Sequence, residues 1–171
     1  MAEEQAKELQ LVVFSIGDEE FGVEISQVRE IVRLLQITYL PKSLPFIEGV
    51  VNLRGQVLPV IDLAKRLGLS SSKRSGDARI IVAEVQGNTV GMIVDSVSEV
   101  FRLPYKNIEE VSGLMATEIS EHFIRGVGKL KDRLLVLLDL NKTLSFEDFQ
   151  FIEHQIKSLS DNQDNKKEEA K

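Results

Sequence analysis

Short β-rich apolar runs, some alternating with polar residues at a period of two, recur along the chain and break at Gly, Pro and acidic clusters, as strands joined by tight turns do. Residues 11–16 form a β-rich run that ends at Gly17-Asp18-Glu19-Glu20. Residues 21–25 alternate as the hairpin partner. Residues 31–37 and 47–53 are further strands, separated by Pro41 and Pro45, which a central strand would not hold. Arg54-Gly55 marks a hairpin tip, and residues 56–61 return from it, with Pro59 implying an edge or a bulge. Asp62 is placed to cap a short helix over 63–67 that Gly68 stops. The same order follows again: strands at 79–85, 89–94 and 97–103, an irregular segment at 104–122, and a hairpin over 123–138 turning at Lys131-Asp132. Asp139 then starts another helical turn. Near the end the period changes. Phe149, Ile152, Ile156 and Leu159 fall on one helical stripe behind a Ser145-x-x-Asp148 capping box, which predicts a helix over 146–159.

The recurrence is visible in the letters themselves. Residues 46–67 and 123–144 match at 10 of 22 positions at a constant offset of 77. Among the matches are Phe46 with Phe123, Gly49 with Gly126, Leu53 with Leu130 and Asp62 with Asp139. A fainter echo at offset 69 aligns Val13, Gly22, Val28, Glu30, Arg33 and Leu34 with Val82, Gly91, Val97, Glu99, Arg102 and Leu103. The chain is thus two copies of one unit of roughly 55–65 residues, the second holding about eight extra residues. Two copies at this period favour paired small barrels over a solenoid. The expected division is a flexible amino terminus at 1–10, a first barrel at 11–68, a linker at 69–78, a second barrel at 79–144, the helix at 145–159 and a disordered polar tail at 160–171. An alternative in which residues 11–16 cross to the second barrel stays open.

Composition narrows the class. The 171 residues are 43% apolar, enough for a packed core, and hold no Cys, which removes disulfides, thiolate nucleophiles and Cys-based zinc sites. The acidic start MAEEQAKELQ is no secretory signal, and no apolar run reaches membrane-spanning length, so a cytoplasmic protein without membrane insertion is expected. A net charge of −6 and only ten aromatics argue against nucleic acid. No P-loop, GxGxxG or HExxH occurs. The two histidines, His122 and His154, have no companion at a motif spacing and read as surface residues. An enzyme is the weaker class, and neither a cofactor nor a metal is expected.

Two clusters stand out. Gly49-Val50-Val51-Asn52-Leu53-Arg54-Gly55 carries an arginine to a hairpin tip. It is either solvated there or set to form a forked pair with a partner's carboxylate. The second copy has Lys131-Asp132 at that tip, so the planar fork is lost. In Val28-Arg29-Glu30-Ile31, alternation places Val28 and Glu30 on one face, and Val97-Ser98-Glu99-Val100 repeats the Val and the Glu. An ordinary solvated strand is the plainer reading of that cluster.

These residues resemble CheW-type chemotaxis coupling proteins. The similarity is carried in order by V-x-E-I at 28–31, P-F-I-x-G-V-x-N-L-R-G at 45–55, P-V-I-D-L at 59–63, V-G-x-x-V-D-x-V at 90–97 and G-V-G-x-L at 126–130. It spans about residues 11–144. The resemblance implies a mainly β fold of two tandem SH3-like five-stranded barrels, with short helices, a carboxyl-terminal amphipathic helix and an apolar groove between the barrels. It implies a non-enzymatic adaptor joining a CheA-type histidine kinase, through the kinase's regulatory domain, to the cytoplasmic tips of methyl-accepting chemoreceptors. The protein would be a monomer when free and part of larger receptor arrays when assembled. Interface residues implied are Val28, Glu30, Ile31, Gly49, Asn52 and Arg54, with Val90, Val97 and Val100 on the second barrel. Competing expectations are the same fold in a parallel chemosensory pathway and a generic paired-barrel peptide binder.

Overall fold

The computed structural model describes residues 7–41, 43–70, 74–110, 119 and 121–169, with side chains described to residue 158 except that of residue 121. The first residues of the expected flexible terminus, part of the linker, most of the insertion and the last two residues therefore lie outside the described residues. In chain order the strands of the first copy are β1 (Glu8–Ile16), β2 (Glu19–Glu24), β3 (Val28–Arg33), β4 (Ile47–Leu53) and β5 (Gln56–Asp62), followed by the short helix α1 (Leu63–Arg66). The second copy gives β6 (Arg79–Val85), β7 (Asn88–Val94), β8 (Ser96–Pro104), β9 (Ile108–Glu109), β10 (Ile124–Lys129) and β11 (Leu134–Leu138). The chain then enters helix α2 (Phe146–Glu169).

The protein is mainly β and forms two SH3-like domains, but neither domain is one copy of the repeat. One sheet runs β8-β1-β2-β11-β10-β9 and the other β3-β6-β7-β5-β4. Each copy lends its first hairpin to the other. The expected boundaries at 11–68 and 79–144 are thus corrected, and the crossing involves β2 as well as β1. Alternation of apolar residues fixes which face of a strand is buried, but does not name its neighbour.

The exchange is symmetric in detail. Leu137 pairs with Gly22 in a parallel register, and at the equivalent place Val60 pairs with Gly91. The β10–β11 ladder shifts register between Ile124 and Gly126, as β4–β5 does between Ile47 and Gly49. Asp62 N–H donates to the Phe46 carbonyl and Asp139 N–H to that of Phe123. Both aspartates cap the turn that follows, Asp62 accepting from Lys65 N–H and Asp139 from Asn141 N–H. One glycine in each copy is forced by close approach. A Cβ on Gly49 would lie 2.1 Å from the Thr38 carbonyl oxygen, and one on Gly126 would lie 2.8 Å from that of Glu109.

Three apolar clusters result. Leu9, Leu11, Val13, Leu103, Leu135 and Leu137 fill the domain of β1, β2 and β8–β11. Val51, Leu58, Val60, Ile80, Val82 and Ile93 fill the domain of β3–β7. The largest cluster lies between the domains, where Phe14, Phe21 and Val23 meet Ala83, Val85, Val90 and Met92. The interior of the inter-domain seam is therefore packed rather than an open groove. Phe149 and Ile152 of α2 belong to this cluster, with Ile156 partly buried against it.

Two element ends differ from expectation. After Arg33 the chain leaves the sheet, and Leu34, Leu35 and Ile37 turn inward against the core of β3–β7 instead of continuing the strand. The helix starts as expected: Asp148 N–H donates to Ser145 Oγ at 3.1 Å, and Ser145 N–H to Asp148 Oδ2 at 2.9 Å. It does not stop at Leu159. It continues to Glu169, through the segment expected to be disordered, because no Gly or Pro after Ser160 interrupts the backbone hydrogen bonding.

Candidate interaction site

The site begins with a one-residue irregularity in β3. Val28 stands opposite Ala83 but Glu30 stands opposite Val82, so Arg29 is the extra residue of a β-bulge. Strict alternation would put Val28 and Glu30 on one face. The bulge puts them on opposite faces: Val28 packs against the inter-domain cluster, and Glu30 joins the side of Val82. Arg29 is turned to Glu84, 2.8 Å away. Ile31 remains 38% exposed beside them.

The β4–β5 tip comes to meet Glu30. Arg54 and Gly55 have φ of 50° and 86°, the two left-handed residues that a tight primed hairpin turn demands. Gly55 adopts this freely, whereas Arg54 adopts it against its Cβ. Asn52 holds the turn, its Oδ1 accepting from Gly55 N–H at 2.8 Å. Arg54 then reaches across to Glu30 with Nη2 2.5 Å from Oε2. The hydrogen bond from Arg54, reinforced by its charge, holds the Glu30 carboxyl below the ordinary value of 4.5, and Glu30 raises Arg54 in return. Arg54 is 69% exposed, so the pair offers a fixed guanidinium to solvent rather than a buried lock.

Glu30, Ile31, Asn52 and Arg54 are thereby gathered at one end of the β3–β7 domain. Gly49 is set apart from them: it lies inside β4, where it admits the Thr38 backbone, and its role is to shape the strand. Val28 is half-buried in the seam. Val90 is fully buried in the inter-domain cluster, so no partner reaches it. Val97 packs partly against that cluster, and Val100 is 56% exposed. Among described residues no group of three His, Asp or Glu is arranged to hold a metal, and no helix is long and apolar enough to cross a membrane. His122 stacks edge-on against Phe123, and His154 is exposed.

The second copy rebuilds the ion pair from a different residue. Glu99 sits after an equivalent bulge on β8, where Phe14 faces Val97 and Val13 faces Glu99. Its partner is not Lys131 at the tip but Arg133, 3.4 Å away, which also bonds Glu20 at 3.0 Å and Asp132 at 3.2 Å. Desolvation works against the charge on Arg133, but the carboxylates of Glu20 and Asp132 outweigh it and its pKa is raised. The echo of Glu30 in Glu99 was a signal that a cation belonged opposite; the shift of that cation by two positions hid it. Arg66, also unmarked by motif spacing, sits where the copies meet, its guanidinium 4.6 Å from the Phe46 ring centre and 5.0 Å from that of Phe123.

Residues 10–148 match the family model described as the CheW-like domain. The chain belongs to the CheW family. It is 38% identical over 136 residues to a probable chemotaxis protein CheW of Rhizobium etli, covering 80% of this chain and 87% of that one. It is 35% identical over 142 residues to chemotaxis protein CheW of Bacillus subtilis, covering 82% and 89%. The crystal structure of the scaffolding protein TtCheW from Thermoanaerobacter tengcongensis superimposes with a TM-score of 0.75 at 37% identity, covering 82% of this chain and 90% of that one. Membership in the CheW family places this chain among chemotaxis adaptor proteins.

Proposed function

We propose that this CheW-family adaptor couples methyl-accepting chemoreceptors to a CheA-type histidine kinase at the cytoplasmic side of receptor clusters. The observation that carries the reading is the Glu30–Arg54 pair, which fixes an exposed guanidinium at a hairpin tip beside exposed Ile31. A rigid arginine next to an apolar side chain suits a modest signalling interface, because the fork is already oriented and little rotamer freedom is lost on docking. Glu30, Ile31, Asn52 and Arg54 form the contact with receptor or kinase in this reading, and Val100 marks a second contact on the other domain. The kinase's regulatory domain docks barrel to barrel, and a receptor helix hairpin packs on a separate exposed face. One adaptor then holds both partners in fixed relation, so that receptor state reaches the kinase.

The test is sedimentation of the purified protein with receptor-bearing membranes and a CheA-type kinase, reading co-pelleting and kinase autophosphorylation. Receptor-dependent stimulation that requires this protein, and falls at least tenfold with Arg54→Ala, supports coupling. Failure to pellet with either partner sinks it.

A further inference from the structure

We propose that Arg29 and Glu84 form a clamp that decides which residue of β3 is the extra one in its bulge, and that Arg29 thereby acts as a positioning residue for the Glu30–Arg54 tip. Its consequence for partners rests on the coupling proposed above; the clamp itself rests on the fold alone. Val28 stands opposite Ala83 and Ile31 opposite Ile81, so between them β3 has two residues where β6 has only Val82. Either residue could face Val82 without moving any other pair of the ladder. Glu30 takes the place, and Arg29 is left over. With the opposite choice Glu30 would be the unpaired residue and would leave the position from which it meets Arg54.

The side chain of Arg29 marks the difference between the two choices. Its Nη2 lies 2.8 Å from Glu84 Oε1, on the strand that β3 pairs with. The pairs Glu84–Arg29 and Glu30–Arg54 alternate in charge and are joined by the single peptide bond between Arg29 and Glu30. An exposed pair adds little to global stability. Little is needed, because the two bulge positions leave every apolar residue of β3 where it is. The second copy makes the same tie with other chemistry. Its bulge on β8 leaves out Ser98, the counterpart of Arg29, between Val97 opposite Phe14 and Glu99 opposite Val13. Ser98 Oγ–H donates to the Val13 carbonyl at 3.2 Å. The counterpart of Glu84 is Ser15, which offers no carboxylate, so the tie runs to backbone instead. In both copies the leftover residue is fastened to the neighbouring strand by its own side chain, and the next residue is a glutamate held by an arginine. A tip fixed in this way loses less freedom on docking.

The experiment pairs carbon-13 titration of the Glu30 carboxyl with the receptor and kinase assay, on full-length Glu84→Gln, Arg29→Ala and Arg29→Ser. Glu84→Gln separates the clamp from simple charge. Removing a nearby negative charge lowers a carboxyl's midpoint, whereas losing the clamp frees Glu30 from Arg54 and raises it toward 4.5. A rise is expected, with altered nitrogen-15 shifts at Arg29 and Glu30 and a melting curve close to that of the parent. Kinase stimulation is expected to fall at least threefold in Glu84→Gln and in Arg29→Ala. Arg29→Ser, which can bond the Val82 carbonyl as Ser98 bonds that of Val13, is expected to recover at least half of the loss. A Glu30 midpoint that stays or falls in Glu84→Gln would overturn the clamp. Stimulation as weak in Arg29→Ser as in Arg29→Ala would make the guanidinium itself the contact and overturn the positioning role. Absence of pelleting by the parent protein would sink the coupling reading, and the Glu30 titration would still decide the clamp.

Discussion

Arg66 donates its Nε–H to the carbonyl oxygen of Thr143 at 2.5 Å, and Thr143 holds in the second copy the place that Arg66 holds in the first. The guanidinium lies against Phe46 and Phe123, which are themselves counterparts. One side chain therefore ties both copies together where they meet. Arg66→Ala should cost about 2–3 kcal/mol, combining a partly desolvated cation–π contact with a charge-assisted hydrogen bond. That corresponds to a fall in Tm of roughly 4–12 °C for a chain of this size. Arg66→Lys should recover less than half, since an ammonium lacks the planar face. A calorimetric scan in which Arg66→Ala melts like the parent would remove Arg66 from this role.

The Glu30 carboxyl titrates below 4.5 because Arg54 stabilises its charged form. The sign follows from the depressed value: whatever the pair contributes is fully present above the unfolded pKa and is lost as pH falls through the folded one. Carbon-13 titration of the Glu30 carboxyl should show a midpoint under 4.5 that returns toward it in Arg54→Ala. The exposed pair adds little to stability, so Arg54→Ala should leave the melting curve close to that of the parent. A large drop would recast Arg54 as a fold residue and end its interface role.

Val90 and Val100 separate core from surface within one domain pair. Val90→Asp buries a carboxylate among Phe14, Phe21 and Met92 and should unfold the protein or cost more than about 3 kcal/mol. Val100→Asp, at a side chain 56% exposed, should change stability by less than about 0.5 kcal/mol while reducing kinase or receptor binding severalfold. Urea melts paired with the pelleting assay decide both, and full binding by Val100→Asp would take that residue out of the interface.

Gly49→Ala sets a methyl group against the Thr38 carbonyl and breaks the bridge in which Thr38 and Val50 exchange bonds of 2.8 and 2.9 Å. A cost of about 2–4 kcal/mol follows from the clash and the lost pairing. Hydrogen exchange should quicken first at the Thr38 and Val50 amides. Unchanged protection there would mean that the backbone yields without strain.

The repeat, the capping box at Ser145 and Asp148, and the tip at Arg54-Gly55 were legible because each is a local demand: a close approach, an unpaired helix N–H, a left-handed turn. The hairpin exchange was not, since apolar alternation in β1 and β6 is satisfied equally by either neighbouring sheet. The bulge at Arg29 escaped for a related reason. A single extra residue reverses every face beyond it while leaving the letters unaltered. Arg133 escaped because the counterpart of Arg54 by position, Lys131, is not its counterpart in space.

The exchanged hairpins give the chain the internal symmetry of a linked dimer. A polypeptide ending near residue 70 would hold two strands of one domain and three of the other. Two such polypeptides would complete each other as a symmetric dimer. Joining them end to end fixes their stoichiometry and frees the two halves from having to stay alike. Glu30 with Arg54 at one end and Glu99 with Arg133 at the other are equivalent in the fold, yet one cation holds a single carboxylate and the other three. The two ends are no longer interchangeable, so the molecule has a polarity that a symmetric dimer could not offer to a pair of unlike partners.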